Sequence, residues 1–231
     1  INMDVLGCVV EVISGMTFAD YLQKNIFDPL ELKSIGFSVN QADRGSFTTL
    51  YTSGLFSRDG EVVAPSGLNT AELIFSKDLR AIDSFNKSPY LESTSKLYDG
   101  GSGLVSNIDD YSTFAEMLLN GGIHNGVRVL SEISVNLMSR NHLSNEILSD
   151  GASFGIDGVG FGLTMAVLMD AGISGTYSAD GEFSWGGAAS TIFWVDKKNN
   201  ITATLMTQYM PSDKYPLREE LKTLLYSGLS N

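Results

Sequence analysis

Residues 183–196 read FSWGGAASTIFWVD. Two adjacent glycines and three alanine or serine positions follow Trp185, and the pattern then becomes strongly β-prone over Thr191-Ile192-Phe193-Trp194-Val195. Glycine inside a strand marks either a bulge or a place where backbones crowd together. Its other use is at a strand edge where a ligand hydrogen-bonds the main chain and any side chain at Gly186 or Gly187 would obstruct it. The surrounding chain has to decide between crowding and a ligand.

Outward from this stretch, GVGFGLTMAVLMD (158–170), GEFSWGG (181–187), AASTIFWVD (188–196) and ITATLMTQY (201–209) are strand-like, with Lys197-Lys-Asn-Asn200 as a hairpin turn between the last two. LREELKTLLYSGL (217–229) is an amphipathic helix with Leu217, Leu221, Leu224 and Leu225 expected to face the core. Before residue 150 the pattern is helical. INMDVLGCVVEVISG (1–15) places Val5, Cys8, Val9, Val12 and Ile13 on one side of a helix expected to be buried, and Ser14-Gly15 ends it. Thr17 with Asp20 fits a capping box for FADYLQKNIF (18–27), which Asp28-Pro29 stops.

From about 38 to 95 periodicity weakens, with a small hairpin expected around Asp59-Gly60. Ser106 with Asp109 predicts the start of a helix whose Ile108, Tyr111, Phe114, Ala115 and Leu118 share a face, ended by Gly121-Gly122. Ser131 opens another, with Ile133, Leu137 and Met138 inward. Helices, then antiparallel strands, then a helix make an α+β pattern. Residues 1–150 read as its helical and loop-rich part, and 151–231 as the C-terminal strands and final helix of the same domain.

With 231 residues, 43% of them hydrophobic, the chain can bury a sizeable core. Fifteen basic against 27 acidic residues give a formal charge of -12, so no nucleic-acid partner is expected. Apolar runs fall far short of the roughly 20 residues that span a bilayer, so no membrane segment is expected. Cys8 is the only cysteine, which rules out an intrachain disulfide, and its expected role is packing. His124 and His142 are the only histidines; no zinc site and no cofactor are expected, although carboxylates can hold a hard cation.

Several short motifs carry nothing. Gly151-Ala-Ser-Phe-Gly155 matches the G-x-S-x-G elbow, but that elbow needs a following helix and a later histidine, and none follows His142. The S-x-x-K matches Ser84–Lys87 and Ser93–Lys96 open no apolar helix, and Pro89 or Asp99-Gly-Gly-Ser-Gly103 follows closely. Gly158-Val-Gly-Phe-Gly162 lacks the lysine and helix of a phosphate loop. The sequons at Asn86 and Asn200 are at chance level.

Taken in order, DVLGCVVEVISGMTFADYLQKNIFDPLEL, GGSGLVSNIDDYSTFAEMLLNGG, GVRVLSEISVNLM and FSWGGAASTIFWVDKKNNITATLMTQ resemble the C-terminal part of the penicillin-recognising serine hydrolases, the class C β-lactamase-like family. The resemblance is strongest to family VIII carboxylesterases. It implies a β-lactamase/transpeptidase-like fold, present in part, in which an S-x-x-K helix, a tyrosine motif and a K-T-G or W-G-G strand surround the site. Trp185-Gly186-Gly187 fits the third element. The resemblance puts the serine nucleophile, its lysine base and the tyrosine before Ile1, so that this chain starts within a domain.

The resemblance further implies that the strand carrying Trp185, Gly186 and Gly187 forms one wall of the substrate cleft. The Ala188 N–H would be one oxyanion donor, and the small side chains around it would leave room for a tetrahedral intermediate. Tryptophan in place of lysine cannot hold a substrate carboxylate by a charge-assisted bond and favours uncharged groups. The complete form is therefore expected to hydrolyse small carboxylic esters through an acyl-serine. The alternatives are a β-lactamase, D-alanyl peptidase or amidase acting on a small-molecule amide, or a non-catalytic scaffold of the same family. By itself the chain is expected to be inactive and, with open sheet edges, poorly stable.

Overall fold

The computed structural model describes residues 1–52, 79–81, 83, 88–91, 97–149, 156–212 and 214–229. The hairpin expected at Asp59-Gly60, both S-x-x-K matches and the 151–155 motif lie outside the described residues. Two compact units are present, one of residues 1–111 with 207–214 and one of 112–206 with 215–231.

In the first unit, α1 (Asn2–Ser14) ends at Gly15, whose φ of 67° is left-handed and whose N–H reaches the Glu11 carbonyl. The Thr17 hydroxyl accepts the Asp20 N–H at 3.1 Å and so caps α2 (Phe18–Leu22), which continues as a π-helical turn over Gln23–Phe27. The expected burial of α1 is corrected. Its buried residue is Gly7, against the Phe18 ring, where a Cβ would stand 3.3 Å from the nearest ring carbon. Because α1 docks through this small residue, the opposite side carrying Val5, Cys8, Val9, Val12 and Ile13 is turned outward. Cys8 is exposed.

A three-stranded sheet places β1 (Tyr51–Thr52) between β2 (Arg80–Ala81), antiparallel, and β10 (Tyr209–Met210), parallel.

The next helix, α3 (Ile108–Leu119), is capped one residue later than expected. Asn107, not Ser106, accepts the Asp110 N–H at 2.8 Å, because an asparagine oxygen at the N-cap reaches the third N–H directly. In the second unit Ala115, Met117 and Leu118 of this helix are buried. Gly121 (φ 65°) and Gly122 (φ 92°) end it as expected. A short hairpin follows, β3 (Ile123–His124) and β4 (Val127–Arg128), turning at Asn125-Gly126 with both φ angles positive. That dipeptide is a strong hairpin signal which the reading from sequence passed over.

Gly122 is needed for two reasons, since a Cβ there would fall on the Leu130 carbonyl and φ is left-handed. Gly122→Ala is expected to cost about 2 kcal/mol or more of stability, read as a lower urea midpoint by tryptophan fluorescence.

Ser131 caps α4 (Glu132–Met138) as expected, its hydroxyl accepting the Ser134 N–H at 3.0 Å. The inward residue, however, is Val135. Ile133 is 81% exposed and Leu137 39%, because two residues along a helix is about 200° of rotation and turns both away from the face that Val135 buries. A one-turn helix, α5 (Asn145–Ser149), follows.

The second unit is built on an antiparallel meander in sequential order: β5 (Val159–Phe161), β6 (Ala166–Leu168), β7 (Phe183–Gly186), β8 (Ile192–Asp196) and β9 (Ile201–Leu205). A four-residue helix, α6 (Ala171–Ser174), interrupts it after β6. Lys197–Asn200 turns from β8 to β9 as expected, with Asn200 at φ 57°. Phe183, Trp194 and Val195 are wholly buried, so the core of the unit lies on the central hairpin of β7 and β8.

The final helix, α7 (Leu217–Ser227), keeps Leu217, Leu221 and Leu225 half-buried as expected but turns Leu224 outward, and it docks by a polar row as well. Leu224 is 70% exposed. Arg218, Lys222 and Tyr226, four residues apart, each reach an acceptor on the sheet hairpin. Buried Glu182 and Asp196 would cost more if left unpaired than an exposed leucine forfeits, and this sets the rotation of the helix.

Candidate active site

Strand β7 ends at Gly186, and a tight turn over 187–190 returns the chain to β8. The Gly187 N–H donates to the Thr191 carbonyl at 3.0 Å and the Ser190 N–H to the Gly187 carbonyl at 3.1 Å. Ser190 is buried at a left-handed φ of 65°. Thus Trp185, Gly186, Gly187 and Ala188 are consecutive at the end of an inner strand, with Ala188 exposed on the turn.

The two glycines face crowding from within the unit. A Cβ on Gly186 would stand 2.7 Å from Arg218 Nη2 and 3.0 Å from the Thr191 carbonyl oxygen, and one on Gly187 would stand 2.5 Å from Thr191 Oγ1. The space the glycines leave is therefore filled by Arg218 and Thr191. The peptide after them differs: among the described residues, the Ala188 N–H has no hydrogen-bond acceptor. Such an N–H on an exposed turn residue can donate to an incoming oxygen.

Trp185 is 42% exposed and meets the Phe161 ring edge-on, with centroids 5.5 Å apart at 73°. Such a pair presents an apolar, shape-defined wall without a charge.

Beneath the hairpin lies a network not foreseen from the sequence. Arg218 Nη2 donates to the Gly187 carbonyl at 2.7 Å and the Thr191 carbonyl at 2.8 Å. Lys222 Nζ lies 2.7 and 2.9 Å from the two carboxylate oxygens of Glu182 and 5.2 Å above the centroid of Trp194. The Tyr226 hydroxyl donates to Asp196 at 2.8 Å. Burial alone would raise the Asp196 carboxyl, but bonds from the Asn199 N–H and side chain, Tyr226 and the Ala179 N–H outweigh it and hold the group below the usual carboxylate range. Burial, then the bond to Asp196, pushes the Tyr226 phenol up. The available signal was the four-residue spacing of Arg218, Lys222 and Tyr226, which a reading for leucines ignores.

The first unit contains its own glycine loop. Tyr98 packs on Phe37 with ring centroids 4.9 Å apart, and Asp99 caps the turn through the Gly101 N–H at 2.7 Å and the Ser102 hydroxyl at 2.5 Å.

Helices, a five-stranded antiparallel meander and a terminal helix docked beside its W-G-G hairpin define a β-lactamase/transpeptidase-like α+β fold. The sequence profile of the Beta-lactamase family matches residues 1–226, and the chain belongs to that family.

Protein Rv1367c of Mycobacterium tuberculosis is 29% identical over 216 residues, covering 90% of this chain and 48% of that protein. Esterase EstB of Burkholderia gladioli is 27% identical over 215 residues, covering 89% of this chain and 47% of that protein. Among solved structures, EstCE1, described as a hydrolase with promiscuous acyltransferase activity, superposes with a TM-score of 0.72 at 23% identity. That match covers 97% of this chain and 54% of EstCE1. The chain spans about half the length of the curated relatives it matches.

Proposed function

We propose that this chain is the portion of a carboxylic-ester hydrolase that carries one wall of the substrate cleft and one of its oxyanion donors, the Ala188 N–H. The observation that carries the reading is this N–H of an exposed turn residue, without an acceptor among the described residues, next to the uncharged Trp185–Phe161 pair, in a beta-lactamase family chain with a relative named as an esterase. The nucleophile, its lysine base and a tyrosine come from sequence preceding Ile1.

In the complete protein the serine oxygen attacks the ester carbonyl and gives its proton to the base. Negative charge develops on the carbonyl oxygen, where Ala188 N–H donates to it, and the C–O bond to the alcohol breaks as the alcohol takes up a proton. Water then cleaves the acyl-serine and restores the enzyme.

Turnover of p-nitrophenyl butyrate and of nitrocefin by the complete protein tests the reading. Ester hydrolysis with little or no nitrocefin turnover is expected; efficient nitrocefin hydrolysis without ester turnover contradicts it. Trp185 is the residue that sets this preference. Trp185→Lys is expected to lower kcat/KM for the butyrate ester about 10-fold, the scale of one lost apolar contact, as measured by initial rates.

A further inference from the structure

Of the groups beneath the hairpin, Arg218 alone reaches the turn that carries the proposed oxyanion donor. The carbonyl of Gly187 and the N–H of Ala188 belong to one peptide unit, and in a trans peptide they point in opposite directions. Two donors hold the carbonyl end: Arg218 Nη2 at 2.7 Å and the Ser190 N–H at 3.1 Å. The N–H end has no acceptor among the described residues. The same Arg218 nitrogen also donates to the Thr191 carbonyl, 2.8 Å away, so one cation ties together the two ends of the turn. Gly186 has no side chain where the guanidinium lies: a Cβ there would stand 2.8 Å from its central carbon.

We propose that Arg218 is a positioning residue for ester hydrolysis: it aims the Gly187–Ala188 peptide and, by drawing electron density toward the carbonyl oxygen, makes the Ala188 N–H a stronger donor to the oxyanion. The inference rests on the ester-hydrolase reading above. Charge-assisted bonds are the strong class, and a donor at one end of a peptide polarises the other end. The contribution grows as charge develops on the substrate oxygen, so it belongs to the transition state and acts on kcat more than on KM.

The test uses three variants of the complete protein: Arg218→Gln, which removes the charge; Arg218→Lys, which keeps it; and Lys222→Met, which breaks a neighbouring helix-to-sheet contact remote from the turn. With p-nitrophenyl butyrate, Arg218→Gln is expected to lower kcat about 30-fold with KM within about 3-fold, the scale of a weakened oxyanion donor. Arg218→Lys is expected to recover most of that loss, and Lys222→Met to lower the unfolding midpoint while leaving kcat near the parent value. A kcat unchanged in Arg218→Gln, or lowered equally in Lys222→Met, overturns the proposal.

If Arg218→Gln does not fold, the carbonyl carbon shift of Gly187 and the amide shift of Ala188 in Arg218→Met, a second uncharged variant of similar length, decide it: both must move, and a spectrum unchanged at these two nuclei overturns it. A parent protein with no ester turnover and no serine labelling by a fluorophosphonate defeats the hydrolase reading. An active parent that is insensitive to Arg218 defeats this inference alone.

Discussion

Asp196→Ala is expected to lower the free energy of unfolding by about 3–5 kcal/mol, the largest stability effect of any polar substitution in the second unit. Asp196 is wholly buried and serves four donors: the Ala179 N–H at 3.3 Å, the Asn199 N–H at 3.0 Å, the Asn199 side-chain amide at 2.7 Å and the Tyr226 hydroxyl at 2.8 Å. Alanine strands all four and releases α7 from the end of β8.

The same carboxylate gives stability a pH dependence of definite sign. Its value in the folded protein lies below the ordinary one, so it stabilises the fold fully above the unfolded carboxyl value of about 4. That contribution is lost as pH falls through the folded value. The gap between the urea midpoints of the parent and of Asp196→Asn should therefore hold from about pH 7 to about pH 5 and narrow from there to about pH 3. A difference that is constant across this range contradicts the assignment.

Ala188→Pro is expected to reduce kcat for p-nitrophenyl butyrate by about 10²–10³-fold, with a much smaller change in KM. Proline removes the N–H and adds only a small ring at an exposed position, and glycine before it tolerates the backbone restriction that proline imposes. Ala188→Gly, which keeps the N–H, should stay within about threefold of the parent, the context scatter of single-interaction effects. Equal losses in both variants contradict a role for the N–H and point to disruption of the turn.

The features legible in the sequence were those whose chemistry is local. Gly15, Thr17, Gly121-Gly122, Ser131 and Lys197–Asn200 act on backbone groups within a few residues, so the residue type announces its role. The β-prone runs around Trp185 gave the meander for the same reason. What was hidden depended on partners distant in sequence. Val135 replaces Ile133 and Leu137 as the buried contact of α4, and Arg218, Lys222 and Tyr226 join the half-buried leucines of α7 while Leu224 turns out, because the neighbour and not the helix decides which face turns in.

The exposed apolar side of α1 makes the same point: helical periodicity identifies a stripe, but it does not say what covers it. At the site, the W-G-G motif was visible as a motif. The arginine 31 residues further on that fills the space beside Gly186 and holds the Gly187 carbonyl was not.

The most direct measurement of the central claim is intact-mass spectrometry of the complete protein, quenched in acid during turnover of p-nitrophenyl butyrate. The account predicts one added butyryl group, on a serine that precedes Ile1, and less of it at early times when Ala188 is replaced by proline. Ester turnover without any acyl adduct, or an adduct whose rate of formation is indifferent to Ala188→Pro, would contradict it.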